Sequence, residues 1–215
     1  GIEEATVTLA SVDGQVTIAL VLTDLTDASG VYLIEEVPLG NYTLTVPTNT
    51  SMFIRAKAQM TQSGSWNFSV KNNTNGNALY VLDGSAFDSG SAGSTRNLNA
   101  ASGWTGSAYT QTRAAAPFAI LDTVFQAKDL LLSAQSTLDF QTLDLYWSAT
   151  NRASDDFCPA TGLIVTSSFV QASSADLDDC SPAQQVASGI YVLGEISDTD
   201  EFDQHVIAHE FGHFA

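Results

Sequence analysis

The spacing of apolar residues changes near residue 116, and this change limits the folds that the chain can adopt. Over residues 1 to about 82, short alternating runs such as 42–46 and 66–70 are separated by turns rich in Gly, Asp and Pro. Alternation with a period of two indicates strands, and short strands at regular spacing indicate an antiparallel β-sandwich. From Ala116, apolar residues recur every three or four positions, which predicts a helix to about Ala134. The order predicts an α+β fold.

These changes divide the chain into three predicted parts. Residues 1–82 form the N-terminal antiparallel sandwich, and residues 83–116 are a Ser/Gly-rich connecting segment with few large apolar side chains. Residues 117–215 form an α+β domain. In that domain the first helix is followed by predicted strands, and a second helix comes last; the strands are at 143–148, 162–170 and 189–194.

All three histidines lie within nine positions, at His205, His209 and His213. With Glu210, the last two form the pattern H-E-x-x-H. Residues four apart lie on one face of a helix, so His209 and His213 can bind one zinc ion while Glu210 accepts a proton from a water there. His205 is about 40° away around the helix axis, and we expect it to support a ligand or lie on the surface. Because the pattern is short, the alternative is a chance match in a helix that binds no metal.

Local signals support a helix through this pattern. Asp198 is a suitable N-cap, and Glu201 three residues later would complete a capping box. Ile207, Phe211 and Phe214 fall on an apolar face beside the histidines. A glycine inside a helix costs roughly 1 kcal/mol relative to alanine. We therefore interpret Gly212 as the sign of a close backbone approach.

The chain is strongly acidic, with 24 acidic and 7 basic residues and a net charge of −17. This charge argues against binding to nucleic acid or to an anionic membrane, and no run is long enough to span a bilayer. Calcium is a candidate partner of the Asp-rich segments 176–179 and 198–201, although neither matches a known loop spacing. Cys158 and Cys180 flank a predicted strand and can form a disulfide.

Two stretches resemble a known accessory domain. Residues 26–32 and 37–44 follow the pattern T-D-x-x-G-x-Y and then Pro-x-Gly-x-Tyr, which is similar to the carboxypeptidase-regulatory-like, or transthyretin-like, sandwich domain. The resemblance implies an accessory role without catalytic groups. The composition resembles that of secreted bacterial proteins, so we expect a secreted or cell-surface protein. No signal peptide is visible, and we expect the sequence to be a fragment cut at both ends.

The order of helix, strands and H-E-x-x-H helix resembles the first half of zincin metallopeptidases. Residues 95–104, 113–122 and 198–214 are also similar to a group of uncharacterised secreted bacterial proteins that join a regulatory-like sandwich to a zincin domain. The resemblance implies that residues 83–116 belong to the catalytic half. The zincin order also implies that the strand at 190–193 is an edge strand to which a peptide substrate adds. The alternative is a plain internal strand.

The zincin resemblance assigns roles to the pattern itself. Zinc would be held by His209 and His213, and Glu210 would be the general base. The third ligand would lie beyond Ala215, and we expect the glutamate of the gluzincin type rather than the histidine of metzincins. With two ligands, the sequence as given is expected to bind zinc weakly and to be inactive by itself.

These observations predict a zinc-dependent metalloendopeptidase that acts on peptide or protein substrates. The alternative is a non-catalytic secreted surface or adhesion protein, in which the sandwich is the functional module and the histidines form a structural or vestigial metal site. A calcium-stabilised carbohydrate-binding module is a third interpretation, and it rests only on the acidity and the sandwich.

Overall fold

The computed structural model describes residues 6–11, 22–27, 29–34, 51–62, 66–88 and 94–215. Within these residues the fold is α+β, with two helices and with strands in open sheets. The chain divides into two compact units. Unit 1 comprises Gly1–Lys57 and Val81–Ala100, and unit 2 comprises Ala58–Tyr80 and Ala101–Ala215. No helix of the described residues combines the length and the apolar character needed to cross a membrane.

The elements are numbered in chain order. The first eight strands are β1 (Thr6–Ser11), β2 (Leu22–Leu25), β3 (Ser51–Lys57), β4 (Gln59–Gln62), β5 (Trp66–Asn72), β6 (Ala78–Leu79), β7 (Val81–Asp83) and β8 (Phe87–Asp88). The remaining elements are α1 (Ala116–Ala134), β9 (Leu143–Trp147), β10 (Arg152–Ala153), a 3-10 turn (Pro159–Thr161), β11 (Leu163–Ile164), β12 (Ser168–Val170), β13 (Gly189–Val192), β14 (Gly194–Glu195), β15 (Asp198–Thr199) and α2 (Gln204–Phe214).

Unit 1 contains an antiparallel sheet. β1 is flanked by β2 and β3, and β7 and β8 both pair with β3. Near the end of β2, the Asp27 carboxylate accepts the N–H groups of Ser29 and Val31 at 2.8 and 2.9 Å. The predicted strand at 42–46 and the resemblance over 37–44 lie outside the described residues. The described strands of unit 1 form a single sheet, so the two-sheet sandwich stays a prediction.

Unit 2 is built on a sheet with the order β12-β13-β9-β5-β4, and β6 also pairs with β5. β5, β9 and β13 are parallel to one another, while β4 and β12 are antiparallel to their neighbours. All four residues of β13 are buried, as expected where parallel strands are covered on both faces. α1 packs against β5 and against α2. This core of sheet and two helices supports the histidine-bearing helix.

The boundaries of the two units differ from the boundaries at residues 82 and 116 that the sequence predicts. The sequence pattern assigns β5 to the sandwich, yet Phe68 and Lys71 pair in parallel with Leu143 and Tyr146 of β9. The alternation in β5 is misleading because Ser69 is buried together with its apolar neighbours. Residues 101–116 also belong to unit 2. The sheet beneath α2 therefore begins before the connecting segment.

The predicted elements of unit 2 are found with small changes. α1 begins at Ala116 and ends at Ala134, and the predicted strand at 143–148 is β9. The predicted strand at 162–170 is interrupted and forms β11 and β12. The predicted strand at 189–194 ends at Val192, and Gly194 begins β14. The backbone of Gly194 lies so close to Ser148 that an added Cβ would be 2.1 Å from the Ser148 carbonyl oxygen.

Cys158 and Cys180, whose pairing the sequence left open, form a disulfide with their Cα atoms 5.0 Å apart. The loop that it closes contains β11 and β12. Beside the disulfide, the Asp179 carboxylate accepts the N–H of Phe157 at 2.7 Å. The disulfide therefore restrains the segment that leads into and out of β12.

Candidate metal centre

α2 begins later than the sequence signals suggest. Its N-cap is Asp203, whose carboxylate accepts the N–H groups of His205 at 2.9 Å and Val206 at 3.3 Å. The prediction that Asp198 caps the helix is wrong. Asp198 pairs with Glu195 in the β14–β15 hairpin, so its backbone is extended and cannot start a helix. The helix therefore starts after this hairpin has ended.

The prediction that Glu201 completes a capping box is also wrong, because its side chain is buried in an ion pair. One guanidinium nitrogen of Arg113 donates to Glu201 Oε1, and the other donates to the carbonyl oxygens of Gly194 and, at 3.3 Å, Ala149. The indole N–H of Trp147 lies 3.4 Å from Glu201 Oε2. Burial raises the pKa of the Glu201 carboxyl, and Arg113 opposes that shift. The pair ties the approach to α2 to the end of β9.

Sequence reasoning missed this ion pair. A signal existed, because Arg113 is one of only 7 basic residues and precedes an Ala-rich helix start. A buried arginine is rarely left without a carboxylate. The sequence does not indicate which acidic residue is the partner, because Arg113 and Glu201 are 88 positions apart.

Apolar packing sets the rotation of α2. Ile207 and Phe211 are fully buried. The Phe211 ring lies 5.7 Å from the ring of Phe68, 5.8 Å from that of Phe140 and 5.6 Å from that of Phe214. The predicted apolar face of the helix is thus confirmed. With this face turned to the core, His209 and His213 remain on the exposed side.

The structure brings together the three residues predicted for the site. The Nε2 atoms of His209 and His213 are 3.1 Å apart, and Glu210 Oε1 is 3.9 Å from His209 Nε2. One ligand atom from each residue lies within 4.8 Å of the others. Tetrahedral ligands at about 2.1 Å from a zinc ion are roughly 3.4 Å apart. The two imidazoles therefore fit one ion without a change of helix geometry.

The three residues differ in exposure. The His209 side chain is 69% exposed, whereas that of Glu210 is 12% exposed. His205 is fully exposed, with Nδ1 3.7 Å from Asp203 Oδ1, and it is not part of the group. The structure thus agrees with a surface position for His205. The two histidines therefore lie on the solvent-exposed side of the site, and the Glu210 side chain lies on the side that is buried against the protein.

Glu210 is held by the sheet. Its Oε2 atom accepts the main-chain N–H of Phe169 in β12 at 2.7 Å. The other carboxylate oxygen, Oε1, is the one nearest to His209. The candidate base is therefore fixed between an edge of the sheet and the histidine pair.

The expectation that residues 190–193 form an edge strand is wrong. β13 lies between β12 and β9, with Phe169 paired to Ile190 on one side and Leu145 paired to Ile190 on the other. The end of this ordered path is β12, which is antiparallel to β13. The zincin resemblance implied a free edge for this strand, but β12 and β9 pair with β13 on its two edges.

A second cluster that resembles a ligand set contains Cys158, Asp178 and Cys180. Both cysteines are consumed by the disulfide, and metal binding requires free thiolates. The Asp178 carboxylate accepts the N–H groups of Gln184 at 2.7 Å and Cys180 at 3.2 Å. This cluster is therefore a structural turn rather than a metal site.

Gly212 does not mark a close backbone approach, since a Cβ added at this position would have no atom within 4 Å and the residue is exposed. That interpretation is wrong. We expect Gly212→Ala to raise the free energy of unfolding by about 1 kcal/mol, because alanine is the better helix former. Urea unfolding followed by circular dichroism measures it. A variant less stable than the wild type would show that the glycine meets a need of the fold.

Comparisons of the chain with models of known families, with curated proteins and with solved structures found no match. The arrangement of His209, Glu210 and His213 on one helix is therefore the observation from which a function can be inferred. The structure adds to the sequence pattern the distance between the imidazoles and the anchoring of Glu210.

Proposed function

We propose that this chain carries the active-site helix of a secreted or cell-surface zinc metallopeptidase of the zincin type. The observation that carries the proposal is the 3.1 Å distance between the Nε2 atoms of His209 and His213, with Glu210 beside them. In this proposal a glutamate of the gluzincin type supplies the third ligand. Unit 1 is the regulatory-like sandwich and takes no part in the chemistry.

The two histidines suit zinc, because two neutral imidazoles completed by a glutamate, here the proposed third ligand and not Glu210, are a common catalytic combination. A zinc ion bound there would polarise a water molecule and the carbonyl of the scissile peptide bond. Glu210 accepts the proton that the attacking water loses. It then delivers that proton to the leaving amine. His209 and His213 supply neutral nitrogen ligands, and the Phe169 N–H keeps one oxygen of Glu210 in place.

The test is the zinc content and the casein hydrolysis of the purified full-length protein. We expect one zinc per protein, hydrolysis that stops when a chelator removes the metal, and loss of both in His209→Ala. His205→Ala is the matched control, since His205 is a fully exposed histidine of the same helix outside the group. Zinc retained by His209→Ala would contradict the assignment. Zinc bound without hydrolysis would favour the non-catalytic surface protein.

A further inference from the structure

The hydrogen bond between Phe169 and Glu210 joins two elements far apart in sequence, because the residues are 41 positions apart. In an antiparallel strand, N–H groups point alternately toward the partner strand and away from it. The Phe169 N–H reaches Glu210 on α2, so it belongs to the set that points away from β13. The neighbouring N–H of Val170 then belongs to the set that faces β13.

β12 is anchored next to this N–H by Ser167 and by the ring of Phe169. The buried hydroxyl of Ser167 donates to Asp200 Oδ2 at 2.6 Å and accepts the N–H of Leu193 at 2.8 Å. It thereby connects the start of β12 to the end of β13 and to the segment before α2. The Phe169 ring lies 6.0 Å from the ring of Phe214 in α2. The N–H donor and the helix that carries Glu210 are therefore held relative to each other.

We infer that the main-chain N–H of Phe169 positions Glu210 for proton transfer, which makes Phe169 a positioning residue of the site. A hydrogen bond to an ionised carboxylate is stronger than one between neutral groups. Here it holds Oε2 and leaves Oε1 on the side of His209, at 3.9 Å from Nε2. A free glutamate side chain would distribute among several rotamers. The role in catalysis rests on the proposed function, whereas the hydrogen bond does not.

The test removes only this N–H. Incorporating phenyllactic acid at position 169 changes the amide to an ester and keeps the phenyl ring. We expect kcat for casein-derived peptides to fall about 10–100-fold, as for a misplaced catalytic group, with KM and zinc content unchanged. The matched control is the corresponding ester at Val170, which removes an N–H that faces β13. It should lower thermal stability and leave kcat close to that of the wild type.

Two results would overturn the inference: an ester at 169 with the kcat of the wild type, or an equal loss of kcat from both esters. The second would mean that any weakening of β12 has the same effect. If the wild-type protein hydrolyses no peptide, the proposed function fails and the positioning role fails with it. If Glu210→Gln is inactive but the ester at 169 is fully active, the proposed function stands and only the inference fails.

A second readout requires neither zinc nor turnover. The amide hydrogen of Phe169 should exchange with solvent about tenfold or more faster in Glu210→Ala than in the wild type, because its acceptor is lost. Glu210→Gln keeps an oxygen acceptor and should show a smaller change. The amide of Val170 should exchange at the same rate in all three proteins. Exchange at Phe169 that is unaffected by Glu210→Ala would overturn the contact itself.

Discussion

Replacing Glu210 with glutamine is expected to lower kcat/KM for peptide hydrolysis by about 10²–10⁴-fold while zinc stays bound. Glutamine has nearly the same shape and keeps an oxygen that can accept the Phe169 N–H, so the helix and the two histidines should be undisturbed. It cannot take a proton from water at neutral pH. The loss therefore isolates proton transfer from metal binding. Steady-state kinetics with a fluorogenic peptide and metal analysis of the same sample measure both.

The control for this substitution is Glu195→Gln, which makes the same chemical change in unit 2 outside the group. Glu195 is exposed, and its carboxylate accepts the hydroxyl of Ser197 at 3.2 Å. We expect this variant to have the kinetics of the wild type. If Glu210→Gln kept kcat/KM within a few-fold of the wild type, Glu210 would not be the base and the peptidase assignment would lose its mechanism.

Replacing Glu201 with glutamine is expected to lower the free energy of unfolding of unit 2 by about 3–5 kcal/mol. The carboxylate and its partner Arg113 are both almost completely buried. Without the negative charge, the Arg113 guanidinium would remain desolvated and unpaired. Glutamine would retain part of the hydrogen bonding but could not offset that cost. Denaturant unfolding followed by the fluorescence of the buried Trp147 reports the change.

The matched control is Asp144→Asn, which removes the charge from a more exposed pair of the same unit. Lys71 Nζ lies 2.6 Å from Asp144 Oδ2, and both side chains are about a quarter exposed. Pairs accessible to solvent contribute about 1 kcal/mol or less, so this variant should be much more stable than Glu201→Gln. If both substitutions lowered the free energy of unfolding by similar amounts, burial of the Arg113–Glu201 pair would not be the cause of a larger loss.

Much of the candidate site was readable from residues close together in the sequence. A period of about 3.6 residues per turn places His209 and His213 on one face and Ile207 and Phe211 on another, and the structure confirms both faces. The helix α1 was also predicted at its observed bounds. These features are local, because helix geometry alone determines which side chains are neighbours.

Features that depend on contacts between residues far apart in the sequence could not be predicted from it. The alternation in β5 is compatible with a sandwich strand, and only the pairing with β9 shows that it belongs to the sheet beneath α2. Likewise, the zincin resemblance implied an edge strand at 190–193, but β12 covers that edge of β13. Strand patterns indicate which residues are extended and do not indicate which strand is the neighbour.

The sequence by itself determined that two helices form here and that His209, Glu210 and His213 lie close together on the second of them. The tertiary structure alone decided that Glu201 pairs with Arg113 rather than capping α2, and that the N–H of Phe169 holds Glu210. The physical reason is that helix periodicity and capping act over a few residues. Burial of a charge and anchoring of a carboxylate depend on groups that the folded chain brings together from 88 and 41 positions away.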